Sequence, residues 1–95
     1  METDIPARLE RVRRMERDGV HWIHAQDFLR AIRAPAKRGL TSSVPVTDKI
    51  RVREQRGGSW MQDAIVLYIS PAAACRLAVD YAPCPNALIR AWAYG

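Results

Sequence analysis

Cysteine is nearly missing from this chain: Cys75 and Cys84 are the only two. A disulfide-built scaffold of this length carries four or more, so the sequence reads as a reduced protein with two isolated thiols. Histidine is equally scarce. His21 and His24 are the only histidines, their spacing does not recruit the cysteines, and no metal site is expected. Long apolar runs are lacking as well. The longest, Ala64 to Ile69, is far shorter than the roughly 20 residues a membrane span requires. The opening METDIPARLE is polar and acidic, without the apolar stretch of a secretion signal. These lacks point to a cytoplasmic protein with no membrane partner.

Acids are few and scattered, so convergent titratable groups of the kind catalysis needs are not in view. His21 and His24 point to opposite faces if both lie on one strand, and read as two surface histidines. Cys75 sits among alanines on a helix, as an inert core residue does. Gly57-Gly58 lacks both the strand–loop–helix setting and the following Lys-Ser/Thr of a phosphate-cradling loop. No enzyme activity and no cofactor are expected.

What the chain does have is positive charge, and it is unevenly placed. The net charge is +5 over 95 residues. In residues 1–20, Arg8, Arg11, Arg13, Arg14 and Arg17 are matched by Glu2, Asp4, Glu10, Glu16 and Asp18. In residues 61–95, Arg76 and Arg90 are matched by Asp63 and Asp80. The excess lies between them: Arg30, Arg33, Lys37, Arg38, Lys49, Arg51, Arg53 and Arg56, against Asp27, Asp48 and Glu54. Positive charge gathered in one segment attracts phosphate or an acidic protein surface. The alternative is a solvated face that keeps the chain soluble.

The local patterns say how those cations are displayed. "RVRRMERDGVHWI" carries Leu9, Val12 and Met15 at helical spacing nearby, yet also reads as a hairpin turning at Asp18-Gly19, with Val20, Trp22 and His24 alternating along the return strand. In "HAQDFLRAIRAP", Ala25, Phe28, Leu29 and Ile32 mark the buried face of a helix and Gln26, Arg30 and Arg33 the outer one. Pro35 stops that helix near Ala34, leaving Lys37 just beyond it. Residues 35–48 read as an exposed, hydroxyl-rich loop. "KIRVREQRGGSWMQDAIVLYI" is a hairpin turning at Gly57-Gly58. Lys49, Arg51 and Arg53 face away from Ile50 and Val52, and with Arg56 at the tip they form a basic ribbon. The return strand is apolar on both sides, as a central strand is. Ser70 caps a helix that opens at Pro71 and buries Ala74, Leu77, Ala78 and Tyr81, and a second helix from near Pro85 buries Leu88, Ile89 and Trp92.

Three of these stretches, "RVRRMERDGVHWIHAQDFLRAI", "GGSWMQDAIVLYIS", and "ISPAAACRLAV" through "LIRAW", together resemble the N-terminal domain of phage antirepressors, the Bro-N type related to KilA-N. The resemblance covers most of residues 10–93. It implies one small α+β domain spanning 1–95, ββαββαα in order, with antiparallel hairpins, three short helices and a flexible tail at 1–8. It also implies a phage or mobile-element regulator that binds DNA or a host or phage regulator. The basic residues 30, 33, 37, 38, 49, 51, 53 and 56 are the expected contact set, and a homodimer is left open. The alternative is a small phage inhibitor, anti-CRISPR-like, that blocks a host nucleoprotein complex by direct protein contact.

Overall fold

A computed structural model describes residues 5–35, 38–54, 64–81 and 86–95. Its elements run α1 (Ile5–Glu10), β1 (Arg14–Arg17), β2 (Val20–His24), α2 (Ala25–Ala31), a 3-10 turn (Val46–Asp48), β3 (Lys49–Glu54), β4 (Ala64–Ile69), α3 (Pro71–Tyr81) and α4 (Asn86–Tyr94). The α+β class and the two hairpins are as the sequence implies. A fourth helix is added at the front. Residues 5–8, expected in a flexible tail, open α1, which buries Ile5 and Leu9 one helical turn apart.

The four strands form one antiparallel sheet in the order β1-β2-β4-β3. The first hairpin turns at Asp18 and Gly19, whose φ angles are 54° and 79°. Two consecutive positive φ values make the tight turn whose twist matches paired strands, and Asp-Gly is the sequence that adopts it most readily. The stretch that read both ways is thus helix up to Glu10 and hairpin from Arg14.

The two hairpins meet over only two residue pairs, Ile23 with Ile69 and His24 with Tyr68. Beyond this seam each chain leaves the sheet: β2 runs directly into α2, and β4 into Ser70 and α3. Ile23 and Ile69 are fully buried and anchor the main core with Leu9, Phe28, Ile32, Leu77 and Ile89. Because paired residues share a face, the opposite side of the sheet carries Trp22, Val66 and Tyr68, a second apolar cluster edged by Met15, Ile50 and Val52. β4 is central, as its two apolar faces suggest.

Hydrogen bonds fix the joints. The Ser70 hydroxyl accepts from Ala73 N–H at 3.1 Å, capping α3, and donates to Asp48 Oδ1 at 3.0 Å. His24 caps α2: its Nδ1 accepts from Asp27 N–H at 3.1 Å. It is therefore a buried capping residue, not the surface histidine the sequence suggested. The stretch 38–48 also departs from an exposed loop. Leu40 and Val44 are buried, so its turns are pinned to the body by two apolar side chains.

Candidate nucleic-acid interface

The structure sorts the chain's arginines by what surrounds them. Arg14 is used internally. Its guanidinium donates to Trp92 O at 3.0 Å and Ala93 O at 2.7 Å, and lies 4.7 Å from the centre of the Trp92 ring. Trp92 in turn stacks parallel to Phe28 at 5.6 Å. Partial burial lowers the Arg14 pKa from its ordinary value. Arg13 is also engaged. Its Nε donates to Asp27 Oδ2 at 2.9 Å, and its Nη1 lies 3.8 Å from Glu54 Oε1. Asp27 responds as expected: burial alone would raise its pKa, but hydrogen bonds from Arg13 Nε and Arg13 N–H outweigh that and hold it below the ordinary carboxylate value. Glu54 further accepts from Tyr68 Oη at 2.9 Å, and burial followed by this contact raises the tyrosine pKa. Two of the three acids counted against the basic middle segment are thus engaged by an arginine from the first segment.

The expected contact residues fall into three groups. Lys37 and Arg56, and the Gly57-Gly58 turn, lie outside the described residues. Lys49 is half-buried and its Nζ donates to Thr41 O at 3.4 Å, so it tethers the 38–48 turns as well as carrying charge. Arg30, Arg33, Arg38, Arg51 and Arg53 are exposed. Arg51 and Arg53 pair with Leu67 and Ile65, so they stand on the side of the sheet that faces the helices, opposite Ile50 and Val52.

That side opens into a notch. Because β2 turns away into α2 after His24, β4 runs on past it. A cavity of about 420 Å³ remains between α2 (Gln26, Leu29, Arg30) and β4 (Ile65, Leu67), with Thr41 and Arg13 at its margin. In an antiparallel pair, residues directly opposite have Cβ atoms about 5 Å apart. Arg51 and Arg53 therefore flank the apolar wall of the notch, and Arg30 forms its other wall. The helix stripe and the hairpin ribbon, separate in sequence, border one concave surface.

A second, smaller concavity of about 200 Å³ adjoins it on the far side of Arg30, lined by Arg8, Arg11, Val12, Asp27 and Ala31. Arg8 and Arg11 were not expected to contribute. Residues 1–20 sum to zero charge, and that sum hid two arginines presented beside Arg30. Leu9 and Val12, the apolar pair that orients them, were the available signal.

Among the described residues, no three His, Cys, Asp or Glu side chains converge as metal ligands, and no helix is long and apolar enough to cross a membrane. Cys75 is half-buried and burial raises its thiol pKa, while Cys84 lies outside the described residues. Comparison with protein-family models, with curated proteins and with solved structures finds no match.

Proposed function

We propose that this chain is a regulatory protein of the antirepressor type, encoded by a phage or other mobile element, that binds duplex DNA through the cationic notch and its rims. One observation carries the proposal: Arg30 of α2 and the cations of β3 adjoin the same concave surface, with the competing acids Asp27 and Glu54 engaged by Arg13. An edge strand with exposed arginines and a neighbouring helix face can straddle a phosphate backbone. Each phosphate neutralised contributes about −0.9 to the slope of log K against log salt. The resemblance of the three stretches to Bro-N domains points the same way.

A mobility shift on arbitrary duplex, repeated across salt concentrations, tests this. The wild-type complex weakens steeply with salt, and reversing Arg51 and Arg53 to Glu abolishes it. Duplex binding that survives the double reversal unaltered would exclude the notch as the interface.

A second reading rests on the apolar part of the same wall. Ile65 is 59% exposed between the cations, which suits an acidic protein surface carrying apolar side chains better than phosphate alone. The chain would then act as a small inhibitor that occupies a host nucleoprotein complex. Absence of any mobility shift, together with one stoichiometric host protein retained from lysate and lost on reversing Arg51 and Arg53, selects it.

A further inference from the structure

We propose that the bowl between α1 and the C-terminal half of α2 is a seat for a single phosphate group. Its wall presents Arg8 and Arg11 from the end of α1 and Arg30 from α2, over a floor of Val12 and Ala31, both buried. Arg8 is pre-set: its Nε donates to Ala31 O at 2.9 Å, which fixes the guanidinium plane and leaves its terminal amino groups available. Arg11 and Arg30 are exposed and have no carboxylate partner among the described residues. Asp27 is the acid at the rim. Its Oδ2 already accepts from Arg13 Nε and Arg13 N–H, so it offers little competition for the three guanidiniums.

Arginines near helix C-termini can serve only to balance the helix dipole. Arg8, bonded to a carbonyl at the end of α2, does so in part. Arg30 lies in the last turn of α2 and Arg11 directly after α1, so the dipole favours both, but it does not require that all three line one concavity. Three guanidiniums lining one concavity over an apolar floor supply the charge and the N–H donors that a phosphate accepts from. The inference rests on the DNA proposal only for the source of the phosphate, a phosphodiester of the bound duplex; the site itself takes the same chemistry from inorganic phosphate.

Titration of inorganic phosphate into ¹⁵N-labelled protein, followed at the arginine Nε–H resonances, is the test. Saturable shifts are expected at Arg8, Arg11 and Arg30 and not at Arg76 or Arg90. Arg11→Gln, an exposed change that spares the fold, should weaken the phosphate affinity by about tenfold, because one of three charge-assisted contacts is lost. Arg8→Lys, which keeps the charge but loses the Nε–H bond to Ala31, should weaken it as well. Equal, unsaturated shifts at all arginines would overturn the proposal, because they report ionic strength alone. The duplex arm separates the two proposals. If Arg11→Gln lowers the salt slope of duplex binding by about one, the phosphodiester is the occupant. If phosphate seats here but no duplex is bound, the bowl stands, its occupant is a free phosphate, and the DNA proposal falls. If duplex binds and phosphate does not, the bowl falls alone.

Discussion

Arg13–Arg14 and Arg51–Arg53 are alike in the sequence, two arginine pairs in short β segments, and opposite in the molecule. The first pair leads into the β1–β2 hairpin. Its partners arrive from far along the chain: Asp27, 14 residues on, closes on Arg13, and the last turn of α4, 78 and 79 residues on, closes on Arg14. The second pair lies on β3, at the opposite edge of the sheet from β1, exposed beside an open notch. The contrast teaches that a charge count along the sequence is a poor map of charge in space. Residues 1–20 sum to zero, yet they supply the arginine that engages two of the middle segment's three acids and two more that line the bowl.

The sharpest way to break the comparison is to treat the pairs alike. Arg14→Met keeps the apolar stem and removes two charge-assisted bonds to α4 and the contact with the Trp92 ring. It should cost about 2–3 kcal/mol, read as a lower urea midpoint at an unchanged slope. Arg51→Met on the edge strand should stay within about 0.5 kcal/mol of wild type while weakening duplex binding. Equal destabilisation by the two changes would mean that β3's cations are structural too.

The second effect is smaller and concerns the seam where the hairpins join. His24 sits there with its ring 5.4 Å from Tyr68, edge to face, and its Nδ1 accepts from Asp27 N–H. Accepting that bond requires an unprotonated Nδ1, so the 3.5 Å approach to Asp27 Oδ1 is not an ion pair at neutral pH. Burial lowers the His24 pKa below its ordinary 6.5, against the pull of Asp27. A folded-state value below the unfolded one means that the unfolded chain takes up protons first. Stability should be full above about pH 6.5 and decline as pH falls from there towards the folded value. Asp27, whose folded pKa is also lowered, adds a further loss only below its ordinary 3.8. Urea midpoints at pH 7.5 and 5.5 should therefore differ in the wild type. They should coincide in His24→Asn, which retains a capping side chain that does not titrate.

Much of the fold was legible for identifiable reasons. Alternation marked Ile50 and Val52 against Arg51 and Arg53, Asp18-Gly19 specified its turn, and Ser70-Pro71 opened α3. What escaped was long-range or atypical. α1 was obscured because its apolar pair, Ile5 and Leu9, sits among mixed charges. Leu40 and Val44 were lost in a hydroxyl-rich stretch. His24 was missed because histidine is not among the residues that usually cap helices. Of the site, the outward cations of α2 and β3 were readable from periodicity. Their meeting at one notch was not, because it depends on β2 leaving the sheet after a two-residue seam.

The smallest effect comes from the end of α2, where sequence and structure disagree by a few residues. The helix does not run to Ala34. It closes at Ile32, and Arg33 takes the left-handed conformation, φ 58°, with Arg33 N–H donating to Arg30 O at 3.1 Å and Ala34 N–H to Leu29 O at 2.9 Å. Glycine is the residue usually found at this position of a helix stop, because a Cβ is strained there by about 1 kcal/mol. Arg33 thus occupies a strained position, with its side chain exposed just beyond the end of α2. Arg33→Gly should then separate the two roles: a gain of up to about 1 kcal/mol in stability, with weaker duplex binding and a salt slope lower by about one. Arg33→Asn, which also tolerates the left-handed region, should show the same loss of binding. If both variants gain stability and bind duplex as well as wild type does, Arg33 takes no part in binding, and the cationic surface ends at Arg30.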